Sequence, residues 1–116
     1  MSIKRGREAE TEALKHMRQQ GLRLVESNYS TRFGEIDLIM LDDETLVFVE
    51  VRYRKQDRFG SALESVDWKK RDRLIKTAHC FLQKNHDHVT RPCRFDVIGL
   101  GRDQGKIDWI QNAFGL

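Results

Sequence analysis

Residues 32–54, "RFGEIDLIMLDDETLVFVEVRYR", hold two apolar runs joined by an acidic turn. Glu35 and Asp37 interrupt the first run, and Glu50 and Arg52 interrupt the second. Charges inside the most apolar part of a chain cost solvation unless something compensates them. If the hairpin closes symmetrically about Asp43-Glu44, one face carries the pairs Ile36/Val51, Leu38/Val49 and Met40/Val47, all apolar. The other face carries Leu41/Leu46, Ile39/Phe48, Asp37/Glu50 and Glu35/Arg52. Side chains alternate along a strand, so the two sets cannot mix, and a one-residue slip would scramble both. This register sets Asp37 opposite Glu50, with Cβ atoms about 4.5–5.5 Å apart.

Two carboxylates that close repel each other and lose hydration, so left alone one of them would keep a proton. Arg52 and its basic neighbours could neutralise the pair. A hard divalent cation could do the same, because Mg²⁺ takes one or two carboxylates and completes its shell with water and phosphate oxygens. The second arrangement suits metal-assisted hydrolysis of a phosphodiester, in which the ion polarises the phosphate and acidifies a bound water. Glu35 opposite Arg52 reads equally well as an ordinary cross-strand ion pair.

The rest of the chain sets the frame. Its 116 residues, 39% hydrophobic and 34% charged with a single proline, predict one globular domain over 1–116. No apolar run reaches membrane-spanning length, and "MSIKRGREAETEALKH" lacks the apolar segment of a secretory signal. Cys80 and Cys93 fit no zinc spacing and read as reduced thiols, which predicts a cytoplasmic protein with no membrane partner. The net charge of +3 is small, but residues 52–58 and 69–76 are locally basic.

Ala9, Ala13 and Met17 recur at helical spacing before Gly21, predicting a helix over 6–20. "LRLVESN" predicts a strand, residues 34–53 the hairpin, and 53–65 a loop. A second helix is expected over 68–84, capped by Asp67, with Leu74, Ile75, Ala78, Phe81 and Leu82 on its apolar face. "RFDVIGL" and "KIDWI" predict two more strands, giving the order α-β-β-β-α-β-β.

Taken together, "GREAETEALKHMRQQGLRLVESN", "GEIDLI", "VFVEVRYR", "FGSALESV", "KRDRL" and "RFDVI" resemble the YraN-like family of uncharacterised bacterial proteins. That family is assigned to the PD-(D/E)xK nuclease superfamily and is similar in fold to archaeal Holliday-junction resolvases. The resemblance covers about residues 5 to 100. It implies an α/β, restriction-endonuclease-like fold with a central mixed β-sheet of four to five strands flanked by helices. It also implies Mg²⁺ or Mn²⁺ as cofactor and a nucleic-acid substrate; the expected activity is metal-dependent cleavage of DNA, with branched or otherwise non-duplex structures as candidate substrates.

Residue by residue, Glu10 matches the first-helix glutamate, Asp37 the motif aspartate and Glu50 the acidic member of the (D/E)xK element. Lys70 matches a basic residue at the start of the second helix. Arg52 stands where the superfamily carries lysine. A guanidinium stays charged at any working pH and cannot act as a general base, although it can hold a phosphate bidentately. The expected metal ligands are Asp37 and Glu50, with Glu10 assisting and Arg52 and Lys70 stabilising phosphate charge.

Arg54, Lys55 and Arg58 are candidate phosphate contacts alongside Lys70, and Phe59 a candidate base-stacking residue or core anchor. Asp96 reads as a structural partner of Arg94, and His86-Asp87-His88 as a solvated turn. Two rival readings stand beside the enzyme. Arg52 would mark a nucleic-acid-binding module that kept the fold and lost the chemistry, or the basic loop would serve a protein–protein adaptor. Branched-DNA resolvases act in pairs because two cuts are needed, which by analogy allows a homodimer.

Overall fold

A computed structural model describes residues 3–54, 60–101 and 106–115, with side chains from Gly6 onward. The chain opens with helix α1 (Ile3–Gln19), whose fourfold-spaced Ala9, Ala13 and Met17 are buried. Gly21 ends it as its sequence predicts. At φ 95° this glycine takes the left-handed conformation, its N–H donates to the Arg18 carbonyl (3.0 Å), and the Leu22 N–H reaches back to Met17 (3.1 Å). These are the paired bonds of a Schellman cap, and Leu22 and Met17 are buried in the same apolar cluster.

Strands β1 (Arg23–Thr31), β2 (Gly34–Asp42) and β3 (Thr45–Tyr53) follow as an antiparallel meander. Then come the single-turn helix α2 (Ser61–Glu64), helix α3 (Trp68–Lys84), a 3₁₀ turn at His86–His88, and strands β4 (Cys93–Leu100) and β5 (Ile107–Phe114). The sheet runs β1-β2-β3-β4-β5, and only β3 and β4 are parallel, joined across the sheet by α3. The fold is therefore α/β with a five-stranded mixed sheet flanked by helices, as expected for the restriction-endonuclease-like class.

The expected hairpin register holds from the turn outward: Asp42/Thr45, Leu41/Leu46, Met40/Val47, Ile39/Phe48 and Leu38/Val49. Each face of this hairpin feeds one apolar layer. Leu38, Met40, Val47, Val49 and Val51 pack beneath α1 with Ile98 and Leu100 of β4. Ile39, Leu41, Leu46 and Phe48 pack beneath α3 with Phe81 and Phe95, and Phe81 meets Phe48 edge-on at 6.1 Å. β3 is apolar on both sides because both helices cover it, which is why its run is continuous rather than alternating.

The register departs from expectation beyond Leu38/Val49. Ile36 packs with the α3-side layer rather than with Leu38 and Met40, so the alternation breaks at Asp37. The reason is local: the Asp37 carboxylate takes the Val51 N–H at 2.8 Å, a bond to a side chain in place of a ladder bond. The two strands part there.

Other differences are smaller. β1 and β5 run longer than predicted, and α2 lies inside the stretch expected to be loop. Cys80 and Cys93 are free thiols. No helix among the described residues is long and apolar enough to cross a membrane.

Candidate functional site

The site lies where β2 and β3 separate. Glu50 belongs to the central strand and is 5% exposed; Asp37 is half-buried beside it. Burial, with Glu50 close enough to share a proton, pushes the Asp37 carboxyl up to about 8, while the Val51 N–H and the charge of Lys70 pull the other way. Glu50 Oε2 is buried with no hydrogen bond, 3.3 Å from Lys70 Nζ and 3.8 Å from a guanidinium nitrogen of Arg52. Lys70 arrives from the first turn of α3, whose start is fixed by Asp67 accepting the Lys70 N–H at 2.8 Å. One turn before buried Leu74, it points toward the sheet.

Glu10 reaches the site from α1, held by a residue the sequence reading missed. Asn28 of β1 donates its side-chain amide to both Glu10 oxygens (3.2 and 3.0 Å) and to Glu35 Oε1 (2.9 Å). Asn28 lies between Ser27/Leu38 and Tyr29/Ile36 of the β1–β2 ladder, hence opposite Asp37, and adopts the left-handed conformation at φ 52°. Burial raises the Glu10 carboxyl above its ordinary value; the Asn28 bond opposes this, and Asp37 and Glu35 reinforce it. An asparagine in a strand was a usable signal, since strands disfavour it while it tolerates positive φ.

Glu10, Asp37, Glu50, Arg52 and Lys70 are thus brought together from α1, β2, β3 and α3. Three expectations fare differently. Glu35 binds Asn28 and not Arg52, because the strands have parted before the pairing could form; Arg52 turns instead toward Glu50 and the Ser65 carbonyl (3.5 Å). Arg54, expected to contact phosphate, is 5% exposed and donates to the Lys106 carbonyl (3.1 Å), which ties β3 to the start of β5. Lys55, Arg58 and Phe59 lie outside the described residues.

Asp96 is the structural acid that was expected. Fully buried, it accepts from Arg94 Nε (3.0 Å), the Trp109 indole (2.9 Å) and the Asn112 N–H (2.9 Å). His88 Nδ1 accepts from Arg91, so the histidine turn is engaged in local bonding.

The donors at the parting strands fit a hard divalent cation. They are carboxylate oxygens, one buried without a hydrogen bond, from a pair in which Asp37 would rather be protonated than charged. Among the described residues no three acidic, histidine or cysteine side chains converge as a ready-made cage. A pair is what Mg²⁺ ordinarily takes from a protein when the remaining positions belong to water and phosphate.

Over residues 9–100 the chain matches the family described as "Uncharacterised protein family UPF0102". A UPF0102 protein of Pseudomonas fluorescens is 48% identical over 112 residues, covering 97% of this chain and 93% of the relative. One from Alcanivorax borkumensis is 54% identical over 112 residues (94% and 90%), and one from Stutzerimonas stutzeri 53% over 111 (94% and 92%). The chain belongs to the UPF0102 family.

Proposed function

We propose that this protein is a divalent-metal-dependent nuclease that hydrolyses phosphodiester bonds of DNA, at branched or otherwise non-duplex structures, in the cytoplasm. The observation that carries the reading is the pair Asp37 and Glu50, two carboxyls from adjacent strands that lie close enough to share a proton where their ladder ends. The resemblance of Asp37, Glu50 and Arg52 to the PD-(D/E)xK pattern supports it.

Asp37 and Glu50 would hold Mg²⁺ or Mn²⁺, which when bound supplies charge to the phosphate and acidity to a water. Lys70, 3.3 Å from Glu50, is placed to take a phosphate oxygen in exchange for the carboxylate it now faces. Arg52 can bind the same phosphate with two N–H groups but cannot remove a proton from water. Glu10, fixed by Asn28, is a further carboxylate able to accept a proton or orient a water beside Asp37.

A calorimetric titration with Mn²⁺ tests the reading without requiring the substrate. Wild type should bind and Asp37→Asn should not. Cleavage assays on several DNA and RNA forms complete the test, and nicking that survives Asp37→Asn would expose a contaminant or another site.

One observation favours a second reading. Lys70 and Arg52 already counter the Glu50 charge, so the site is electrostatically closed without an ion. A nucleic-acid-binding module on this fold would then show salt-sensitive binding and no cleavage, and Arg52→Lys producing activity would identify a degenerate enzyme.

A further inference from the structure

Beside the carboxylates, the exposed flank of α3 carries a line of cations that the proposed chemistry does not use. Lys69, Arg73 and Lys76 follow at intervals of four and three, so they lie along one side of the helix, and all three are exposed. Lys70 borders this line on its sheetward side, which makes the charge continuous with the site. The turn between β1 and β2 extends it. Arg73 packs so closely there that a Cβ on Gly34 would lie 3.5 Å from its own Cβ. In the same turn the Arg32 guanidinium sits 4.8 Å from the centre of the Phe33 ring, and Lys76 Nζ 5.9 Å from it. Phe33 therefore gathers cations from two elements that would otherwise repel each other. Among the described residues the only ion pair drawn off is Lys76 with Asp72 (3.0 Å), an exposed helical pair of small worth.

We propose that Arg32, Lys69, Arg73 and Lys76 form a ridge that binds the phosphates of a nucleic-acid strand leading away from Lys70. The inference deepens the nuclease reading and rests on it for the partner. From Lys69 to Lys76 the helix rises about 10 Å, the axial length of roughly three phosphates of one strand. Long, separate cations on a helix flank meet phosphates and read no bases, so this binding is independent of sequence. A lipid surface fits less well. A membrane-lying helix needs an exposed apolar face, and that of α3 (Leu74, Ala78, Phe81) is buried against the sheet, leaving the exposed Trp68 as a single residue rather than a face.

Fluorescence anisotropy with labelled single-stranded, duplex and forked DNA, in EDTA so that nothing is cut, tests the ridge. Arg73→Glu and Lys76→Glu should each weaken binding several-fold at low salt, and each should reduce the salt slope by about one. Arg73→Gln and Lys76→Gln should give the smaller loss of a neutral change, and circular dichroism should show all four folded. Unchanged affinity and slope in these variants overturns the proposal. So does wild type that ignores DNA or prefers vesicles of anionic phospholipid. If wild type fails to bind Mn²⁺ while the variants lose DNA, the hydrolase reading falls and the ridge stands. If Mn²⁺ binds and the variants hold DNA normally, only the ridge falls.

Discussion

Asn28 grips Glu10 across the gap between the sheet and α1, with its amide nitrogen 3.2 and 3.0 Å from the two carboxylate oxygens. The grip goes with a local backbone shape: at φ 52° Asn28 departs from strand geometry where its amide reaches Glu10 of α1 and Glu35 of β2. Alanine and glycine separate the two contributions. Asn28→Ala loses the amide and also bears the left-handed strain, so it should be about 1 kcal/mol less stable than Asn28→Gly in urea denaturation. Both should lose Mn²⁺-dependent cleavage to the same extent. Full activity in Asn28→Gly would remove Glu10 positioning from the mechanism.

The Asp37 carboxyl, pushed up to about 8 by burial and by Glu50, makes stability depend on pH. Between about pH 4 and 8 the folded protein holds a proton that the unfolded chain has released. The stabilisation is therefore complete below the ordinary aspartate value and is lost as pH rises toward 8. Asp37→Asn keeps an oxygen for the Val51 N–H and carries no charge. Its melting temperature should change little across this range and exceed that of wild type at pH 8, by about 1–3 kcal/mol in stability. Mn²⁺ should raise the wild-type melting temperature and leave Asp37→Asn where it was.

Lys70 sits 3.3 Å from Glu50 and is one-third exposed, so part of its attraction is screened. Lys70→Met should destabilise by about 1–2 kcal/mol in the absence of metal, because a buried carboxylate loses its nearest cation. Mn²⁺ should protect this variant more than it protects wild type. Cleavage should fall about 10²–10³-fold, as when one pre-placed donor to a developing oxyanion is removed.

Asp96 distinguishes a structural acid from the site acids. Burial works against the charge of Arg94, but Asp96 and Asp42 outweigh it and hold the guanidinium above its ordinary value. Asp96→Ala should therefore cost about 3–5 kcal/mol by leaving Arg94 without its buried partner. Calorimetry on the folded fraction should give wild-type Mn²⁺ affinity; a lost Mn²⁺ signal would bring Asp96 into the metal site.

Gly99 of β4 fixes how closely α2 approaches the sheet. A Cβ there would stand 2.5 Å from Ala62 Cβ and 2.9 Å from two Arg54 side-chain carbons. Gly99→Ala should cost about 1–3 kcal/mol through overpacking, read as a lower denaturation midpoint with an unchanged slope.

The closeness of the two carboxyls was legible because the segregation of Leu38, Met40, Val47 and Val49 from Ile39, Leu41, Phe48 and Leu46 admits one register, which aims Asp37 at Glu50 even though the ladder itself ends at Leu38/Val49. Lys70 was legible for a similar reason, one turn before buried Leu74 on the apolar side of α3. Hairpin alternation could not foretell where the ladder ends, since that is decided by a side chain taking the Val51 N–H. Ile36 and the Glu35–Arg52 pairing were misplaced by this one event. Asn28 escaped because its contact with Glu10 joins a strand to a helix, a relationship that neither periodicity contains. Arg54 looked like a surface cation by composition; in the fold its side-chain carbons lie against Gly99, where no Cβ stands in the way.

The single parallel pairing, β3 with β4, gives the molecule an order of assembly. β1, β2 and β3 can zip through turns of neighbouring residues, whereas β4 must wait for the whole α3 crossover to close. Contact order therefore predicts that the acidic partners on β2 and β3 meet first and that Lys70, carried on the crossover, reaches them afterwards.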